Sequence, residues 1–453
     1  MPHTEPGDVM RSGILPDNDT KALFFLRHYN DIDHITPVIF KWAESGHICD
    51  VVLIGKDNAC SDYRIQFLRK LAGVRVAHIR ELLPPLDFML WRLQTLLMSP
   101  GLRRSWLNPV INRLVQIYGR EKRQHIWRKT AHRLLERSFG KSATATGVVI
   151  FDWITRNSPV CIEWVEMVVT MARATGLGTV SLPHGDSPHA NQLIRHHEWK
   201  LEPDSMYSAG GIFDKVVVPN ELCAVRFRPF VPAQSLAVLG SPRYCSEWLA
   251  VLAELQLPSP LVRAENRLKL VLFLRKSDFT TFWEEVSEVV QMIAAFPNVE
   301  IIIKPHTRGG WRQPLTRAAA ITRLPNVSVA GDEMHSIHLL NWADAVIDLA
   351  TSVVYEAVKA GKPVLAADYL HAGRSTIAGF MPETELRCRD DVYQKIAELL
   401  SSGCDSFYVE EHRQRFLREI INGSSDDNVL SRYVTLLEDS CRDPAIQQST
   451  DGK

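Results

Sequence analysis

Residues 343–368 read ADAVIDLATSVVYEAVKAGKPVLAAD. The short apolar run AVID leads into a polar turn, a segment of helical length follows and stops at a glycine, and a second apolar run begins at KPVL. A strand, a helix and a second strand in this order form a βαβ unit with two parallel strands. We therefore predict an α/β protein.

Short apolar runs of the same kind recur in two series along the chain. They lie at 22–27, 50–55, 74–79, 147–153, 178–182 and 215–219, and then at 268–275, 299–305, 327–331, 344–348 and 362–368. Their Val, Ile and Leu residues do not alternate strictly with polar ones, which is typical of parallel strands covered on both faces. The two series predict two doubly wound, Rossmann-like domains that face a central cleft.

Domain boundaries follow from the breaks in this rhythm. The proline-bearing segment 228–267 separates the two series. We predict an N-terminal domain over 21–235, with a basic helical insert at 85–140, and a C-terminal domain over 236–440. Residues 1–20 and the tail 441–453 are predicted to be disordered.

Bulk composition excludes several classes of protein. The 453 residues carry no formal net charge, which argues against a nucleic-acid partner, and the eight cysteines form no C-x-x-C pair. The N-terminus lacks the apolar core of a signal peptide, and no apolar run is long enough to span a bilayer. We expect a cytoplasmic protein that can still touch the inner face of the membrane.

The insert has a strongly basic part at 101–140. Ten Arg and Lys residues face only Glu121 and Glu136, and apolar residues recur at roughly helical spacing. One interpretation is a pair of surface helices packed on the first domain. The other is an amphipathic segment that lies on anionic lipid or an anionic acceptor, and both can hold at once.

The stretch SLPHGDSPH (181–189) ends a predicted strand with two imidazoles and a carboxylate. We predict His184 as a general base, since imidazole titrates near neutrality, with Asp186 or Asp204 orienting its ring. Gly185, Asp186 and His189 are predicted to contact the acceptor. The alternative is a turn histidine whose neighbours cap the next segment.

The turn RHYNDIDHITP (27–37) follows the first strand. Its D-x-D pattern resembles a metal-binding motif of some transferases, but that motif belongs to a different architecture, and we predict no metal. Asp31 and Asp33 are candidates for orienting the base, and His34 for seating the acceptor. Simple capping of the following helix is the alternative.

Cationic and hydroxyl side chains follow the strands of the second series. The predicted donor-binding residues are Arg275, Lys276, Lys304, His306, Arg308, Asp348, Thr351, Ser352 and Glu356. Cations and a helix N-terminus suit a phosphate or diphosphate, and Glu356 could accept hydrogen bonds from ribose hydroxyls. A solvated basic loop and an ordinary capped helix are the alternatives.

Four stretches together resemble the two-domain GT-B transferases of bacterial surface polymers. They are LPHG (182–185), LGSPRY (239–244), IIIKPH (301–306) and 343–365. The resemblance is strongest to the CDP-glycerol glycerophosphotransferase group and to capsule and Kdo transferases. It implies His184 as the base, and Lys304, His306, Asp348, Thr351 and Ser352 as holders of the donor's phosphates.

The sequence departs from that pattern in the donor region. Thr307 stands where proline is usual, LATS replaces a double serine, and FLRKSDF replaces Y-x-P-T-x-R. The donor therefore stays open among CDP-, CMP-, UDP- and GDP-linked groups. We predict a metal-independent transferase without a cofactor, which moves a glycosyl or glycerophosphoryl group to a surface polysaccharide or lipid-linked acceptor. A nucleotide-sugar epimerase of similar fold and a non-catalytic glycan-binding adaptor are the alternatives.

Overall fold

The computed structural model describes most of the chain between residues 21 and 441. The described ranges are 21–27, 29–55, 57–99, 106, 108–140, 146–154, 158, 160–185, 205–255, 259–263, 266–275, 280–306, 321–373, 375–423 and 426–441. Within them, parallel strands form two sheets, one of seven strands and one of five. The predicted α/β class with two doubly wound, Rossmann-like domains is confirmed.

The first sheet has the strand order β3-β2-β1-β4-β5-β6-β7. Its strands are β1 (Lys21–Leu26), β2 (Ile48–Leu53), β3 (Val74–His78), β4 (Gly147–Asp152), β5 (Gly178–Leu182), β6 (Lys215–Val218) and β7 (Leu236–Val238). The helices in this half are α1 (Tyr29–Glu44), α2 (Tyr63–Leu68), α3 (Ile79–Leu82), α4 (Pro85–Leu97), α5 (Asn108–Tyr118), α6 (Arg120–Phe139), α7 (Ile162–Ala174), α8 (Glu221–Phe227) and α9 (Ser246–Leu255).

Helices cover both faces of this sheet because side chains along each strand point alternately to either side. On β1, Leu23 and Phe25 pack against α6 and α7, where Phe25 meets Trp164 edge to face. Phe24 on the same strand packs against the opposite layer, which includes Trp42 of α1. Burial on both faces explains why these strands lack polar alternation.

The second sheet has the order β10-β9-β8-β11-β12. Its strands are β8 (Leu268–Phe273), β9 (Val299–Lys304), β10 (Val327–Val329), β11 (Ala345–Asp348) and β12 (Val364–Ala366). The remaining helices are α10 (Trp283–Ala294), α11 (Ser336–Trp342), α12 (Tyr355–Lys359), α13 (Thr376–Phe380), α14 (Arg389–Ser402), α15 (Glu410–Phe416) and α16 (Val429–Cys441). Leu270 and Leu272 face the layer of α10 and α14, and Val271 faces the layer of α11 and α12.

The predicted boundary at 235/236 differs from the packing in the structure. β7 begins at Leu236 and pairs with β6 in the first sheet. Trp248 of α9 and Tyr433 of α16 are buried in the same core as β1 and α1. The last helix, α16, therefore packs on the first sheet although it follows the strands of the second one. The order of predicted strands along the sequence does not show this. The predicted disordered segments 1–20 and 442–453 lie outside the described residues, whereas Cys441 ends α16.

The predicted insert 85–140 contains α4, α5 and α6. Trp127 and Leu134 of α6 are buried against α7, so the interpretation as helices packed on the first domain is confirmed for α6. Within the described ranges, none of the helices combines the length and apolarity needed to cross a bilayer.

Candidate active site between two sheet edges

Three adjacent strands of the first sheet end in polar side chains that contact one another. Arg27 follows β1, Asp152 ends β4, and His184 lies two residues beyond β5. The Arg27 Nε donates to Asp152 Oδ1 at 2.7 Å, and a second guanidinium nitrogen reaches Oδ2. The His184 Nδ1 lies 3.0 Å from the same Oδ2. Asp152 thus holds both a guanidinium and the predicted base.

Asp31 completes this group from the first turn of α1. Its Oδ2 accepts a hydrogen bond from the Arg27 backbone N–H at 2.7 Å and lies 3.6 Å from the Arg27 Nε. Burial lowers the pKa of Arg27, and Asp31 partly offsets this. Asp31 and Asp152 thus place two carboxylates around one guanidinium.

The same group is the candidate for a metal site among the described residues. One ligand atom each from Asp31, Asp152 and His184 lie within 4.8 Å of one another. The guanidinium of Arg27 already provides a positive charge between the two carboxylates. A cation would have to displace it, so the donor set fits a metal poorly.

Asp33 and His34 lie next to this group but have different surroundings. Burial alone would raise the pKa of Asp33, yet Arg243 and Arg64 hold it well below its usual range. Burial lowers the pKa of His34 to about 3, with Asp33 opposing this and Arg243 and His184 adding to it. At neutral pH, Asp33 is therefore a paired carboxylate and His34 a neutral ring.

Arg243 joins the two halves of the protein. Its Nε lies 2.8 Å from Asp33 Oδ1 on α1, and its terminal nitrogen donates to Glu356 Oε1 on α12 at 2.5 Å. The adjacent Tyr244 ring packs edge to face on His34 and on Tyr355, with centroid distances of 6.2 Å and 5.4 Å. These contacts bring the carboxyl end of the first sheet against the segment that follows β11.

Glu356 therefore has a partner within the protein. Its carboxylate is buried and engaged by Arg243, and burial raises its pKa while Arg243 lowers it. Its predicted contact with ribose stays a prediction. The sequence had singled out LGSPRY only for its resemblance, and the bridging role of Arg243 was missed.

The second sheet presents its own polar group at its carboxyl end. Asp348 ends β11, and its Oδ1 accepts from the Thr351 backbone N–H at 2.7 Å and from the Thr351 hydroxyl at 3.1 Å. Its Oδ2 accepts from the Ser375 hydroxyl at 3.3 Å. Burial raises the pKa of Asp348 to about 7, and nearby Asp368 adds to this. A carboxyl that is partly protonated at neutral pH repels an anion less than an ionised one.

Arg275, which follows β8, belongs to this second group. Burial lowers its pKa to about 10, against the opposing effect of Asp348 and Asp368. A small recess next to it is lined by Asp348, Ala350, Thr351, Ser352, Tyr355, Ser375 and Thr376. Ala350 has φ 59°, a left-handed conformation that is strained for a residue with a side chain. Hydroxyls beside a buried guanidinium suit a phosphate.

Two details of this region differ from the prediction. The segment after Thr351 is a single 3-10 turn, Ser352–Val354, followed by the five-residue helix α12, and the Thr351 hydroxyl donates to Asp348 rather than capping it. Ser375, Thr376 and Asp368 were missed. The pair Ser375–Thr376 before a short apolar run is a helix-start pattern, and only the fold shows that it follows β12 beside β11.

Lys304 is the last residue of β9, and His306 lies two residues beyond it. The Lys304 Nζ donates to the carbonyl of Gly331 at 2.7 Å, beyond β10, and burial lowers its pKa while Asp332 and Glu333 raise it. Its ammonium thus lies toward the β10 side of the sheet, whereas Arg275 interacts with Asp348. His306 is half-buried at the same edge.

The remaining predicted residues are placed as follows. Asp186, His189, Lys276 and Arg308 lie outside the described residues, as does Asp204. A Cβ built on Gly185 meets no atom of the described residues within 4 Å. The assignments of His184, Asp31 and Asp33 to catalysis, and of the others to ligands, stay predictions.

Comparison with known proteins supports the fold. Neither a protein-family model nor a curated protein sequence matches the chain. Solved structures do match it along nearly its whole length. UDP-GlcNAc 2-epimerase from Neisseria meningitidis bound to UDP-GlcNAc is 10% identical, with a TM-score of 0.55, 93% of this chain covered and 99% of that one.

Two further structures extend the comparison. The S. aureus MnaA–UDP co-structure is 11% identical, with a TM-score of 0.52 over 92% of this chain and 95% of that one. The glycotransferase of kitacinnamycin is 12% identical, with a TM-score of 0.50 over 93% and 98%. The chain has a GT-B-like fold, and its structural neighbours are nucleotide-sugar epimerases and glycosyltransferases.

Proposed function

We propose that this protein is a nucleotide-sugar-dependent enzyme that transfers a glycosyl group to an acceptor hydroxyl. The acceptor is a surface polysaccharide or a lipid-linked glycan, bound at the edge of the first sheet. The donor lies at the edge of the second sheet. A CDP-alcohol donor with glycerophosphoryl transfer belongs to the same proposal. Neighbours of the same fold hold UDP-GlcNAc and UDP, which supports a nucleotide-linked donor.

The contact between His184 and Asp152 carries this proposal. Asp152 is fully buried and fixed by Arg27, so it orients the His184 ring through Nδ1 and stabilises the imidazolium. The His184 Nε2 accepts the proton of the acceptor hydroxyl. The acceptor oxygen then bonds to the anomeric carbon of the donor, the bond from that carbon to the phosphate oxygen breaks, and the nucleotide leaves with the electron pair.

The leaving nucleotide gains negative charge, which the second group can stabilise. In this proposal, Arg275 and the hydroxyls of Ser352 and Thr376 contact the leaving group, while Thr351 and Ser375 hold Asp348. Donors aimed at a developing charge are typically worth about 3–4 kcal/mol each. No step in this scheme uses a metal or a cofactor.

Replacing His184 by Ala tests the proposal directly. We expect turnover to fall by about 10²–10⁴ because a general base is lost, with the nucleotide-induced thermal shift retained. His125→Ala, at an exposed position on α6, is the matched control. The donor is first found by comparing thermal stabilisation by UDP, CDP, GDP and CMP. Normal transfer by His184→Ala would exclude this assignment.

A nucleotide-sugar epimerase is the second candidate. The cluster of Asp31, Asp152 and His184 within 4.8 Å favours it, since carboxylates and an imidazole can exchange a proton at a sugar carbon. Incubation with donor alone separates the two functions. In deuterated water, an epimerase yields a new sugar nucleotide that carries deuterium at the inverted carbon. A transferase without acceptor yields only slow hydrolysis of the donor.

A further inference from the structure

Helices α4 and α5 present a cluster of large apolar side chains to solvent. Fifteen large hydrophobic residues are exposed among those the structure describes, and eight of them fall between residues 86 and 117. These are Leu86, Met89, Leu93, Leu96, Trp106, Val110, Leu114 and Ile117. We call them the apolar face. Apolar patches of this kind usually mark an interaction surface.

The spacing of these residues shows that the face is organised. On α4 the exposed residues recur at intervals of three and four, as do Val110, Leu114 and Ile117 on α5. Each helix also has buried apolar residues, Phe88 and Trp91 on α4 and Ile111 on α5. The exposed stripes are therefore additional to the core-facing ones. Leu86, Met89 and Ile117 are each about two-thirds exposed, at 65%, 66% and 69%.

Exposed cations lie on these two helices and on α3 and α6, which pack against them. They are Arg80, Arg92, Arg113, Arg120, Lys122, Arg128 and Arg137. Arg80 and Arg92 line a groove together with Met89, Leu93 and Leu96. Of the acidic groups nearby, Asp87 is already paired with Lys129 at 2.8 Å and with Arg133. Glu81 on α3 and Glu121 on α6 are the exposed acidic residues of these helices.

We propose that this face binds the surface of an anionic lipid bilayer. The apolar side chains enter the boundary between headgroups and acyl chains, and the cations contact the lipid phosphates. A second copy of the chain is a poorer occupant. A two-fold interface would bring the same cations of both copies together, with little acidic charge to offset them.

The face begins close to the proposed acceptor edge. α3 starts directly after His78, the last residue of β3, and α4 follows it. β3 is four strands away from β5, the strand that precedes His184, which corresponds to about 19 Å across the sheet. Given the proposed function, a bilayer on α4 would hold a lipid-linked acceptor at the sheet edge that carries His184. The binding itself does not depend on that function.

Co-sedimentation of the full chain with lipid vesicles tests the proposal. The vesicles are phosphatidylcholine alone, or phosphatidylcholine with phosphatidylglycerol. We expect binding to the anionic vesicles and a weaker interaction at high salt, because salt screens the cations. Both Leu93→Glu/Ile117→Glu and Arg92→Glu/Arg113→Glu/Arg128→Glu should weaken binding at least about tenfold.

Matched variants elsewhere on the surface control for nonspecific effects. Val262→Glu/Val409→Glu changes two exposed apolar residues of the other half, and Arg387→Glu/Arg418→Glu changes two exposed cations. Both should bind vesicles as the wild type does. Unchanged melting temperatures show that the variants fold.

Three outcomes would overturn the proposal: failure of the wild type to bind anionic vesicles, wild-type binding by Leu93→Glu/Ile117→Glu, or a wild-type dimer that this variant dissociates. The dimer would assign the face to a second copy. Nucleotide-induced thermal shifts, measured without vesicles, report on the proposed function separately. A normal shift without vesicle binding would reject only the lipid surface.

Discussion

The carboxyl ends of the two sheets each bury a carboxyl group and an arginine, but the carboxyl groups have different partners. At the first sheet, Arg27 is buried between Asp31 and Asp152, and His184 contacts the latter carboxylate. At the second sheet, Asp348 is buried among hydroxyls, and burial raises its pKa to about 7. Burial lowers the pKa of the nearby Arg275 to about 10. Direct ion pairs hold the first group together, whereas backbone and hydroxyl donors hold the carboxyl group of the second.

This difference matches the proposed division of labour. A buried, fixed carboxylate holds an imidazole in one orientation, which a proton acceptor requires. In the proposed function, the buried guanidinium and the hydroxyls beside a readily protonated carboxyl receive an anion. We therefore expect the two groups to respond in opposite ways when a carboxylate is removed.

Removing the carboxylate of the first group should have the largest effect. Asp152→Ala leaves Arg27 buried beside Asp31 alone, and we expect a loss of about 3–5 kcal/mol in the free energy of unfolding. Asp152→Asn keeps an acceptor for the Arg27 Nε and should lose less. Asp427→Ala removes an exposed ion pair with Lys359 and should cost at most about 1 kcal/mol. Urea unfolding measures all three, and equal losses in Asp152→Ala and Asp427→Ala would contradict the comparison.

Replacing the ionisable carboxyl of Asp348 in the second group by a neutral side chain should stabilise the protein at neutral pH. Because burial raises the pKa of Asp348 to about 7, the folded protein keeps a proton that the unfolded carboxyl releases above about pH 4. This contribution therefore falls as the pH rises from about 4 to about 7. A shift of roughly three units corresponds to at most about 4 kcal/mol.

Asp348→Asn removes this titration and retains an acceptor for Thr351. The difference in unfolding free energy between variant and wild type should grow in favour of the variant from pH 4 to pH 8 and then level off. Unfolding experiments across this range measure it. A difference that does not change with pH would show that Asp348 is ionised in the folded protein at ordinary carboxyl pKa.

The smallest expected effect concerns backbone strain in the second group. Ala350→Gly relieves the positive φ of 59°, and we expect stabilisation by about 1 kcal/mol. Ala360→Gly is the matched control, because Ala360 is the C-cap of α12 with φ −75°, and this variant should lose stability. Thermal unfolding compares the two variants. Loss of stability in both would mean that the turn after β11 is not strained.

Most of the fold could be predicted from the sequence. The predicted strands all have counterparts in the two sheets, since runs of Val, Ile and Leu buried on both faces give a strong local signal. The short strand β7 was missed, and α9 and α16 were assigned to the wrong half. Their sequences show that they are amphipathic, but not which core they cover.

The candidate site was predicted only in part. The residues just beyond β1, β5, β8, β9 and β11 drew attention because polar groups end apolar runs there. Asp152 also ends an apolar run, in residues 147–153, but it was predicted only as part of a strand. No role was predicted for Arg27. The orienting partner of His184 was sought nearby in sequence, at Asp186 or Asp204, whereas the structure provides it from a neighbouring strand.

What the sequence determined by itself is the class of fold and the strand ends that carry polar side chains, because periodicity and burial act over a few neighbouring residues. Only the tertiary structure decided which of those side chains meet. The Arg27–Asp152 pair joins residues 125 positions apart, and the Arg243–Glu356 pair joins residues 113 apart. Such pairs depend on strand order and on the packing of one half against the other, and neither leaves a local pattern in the chain.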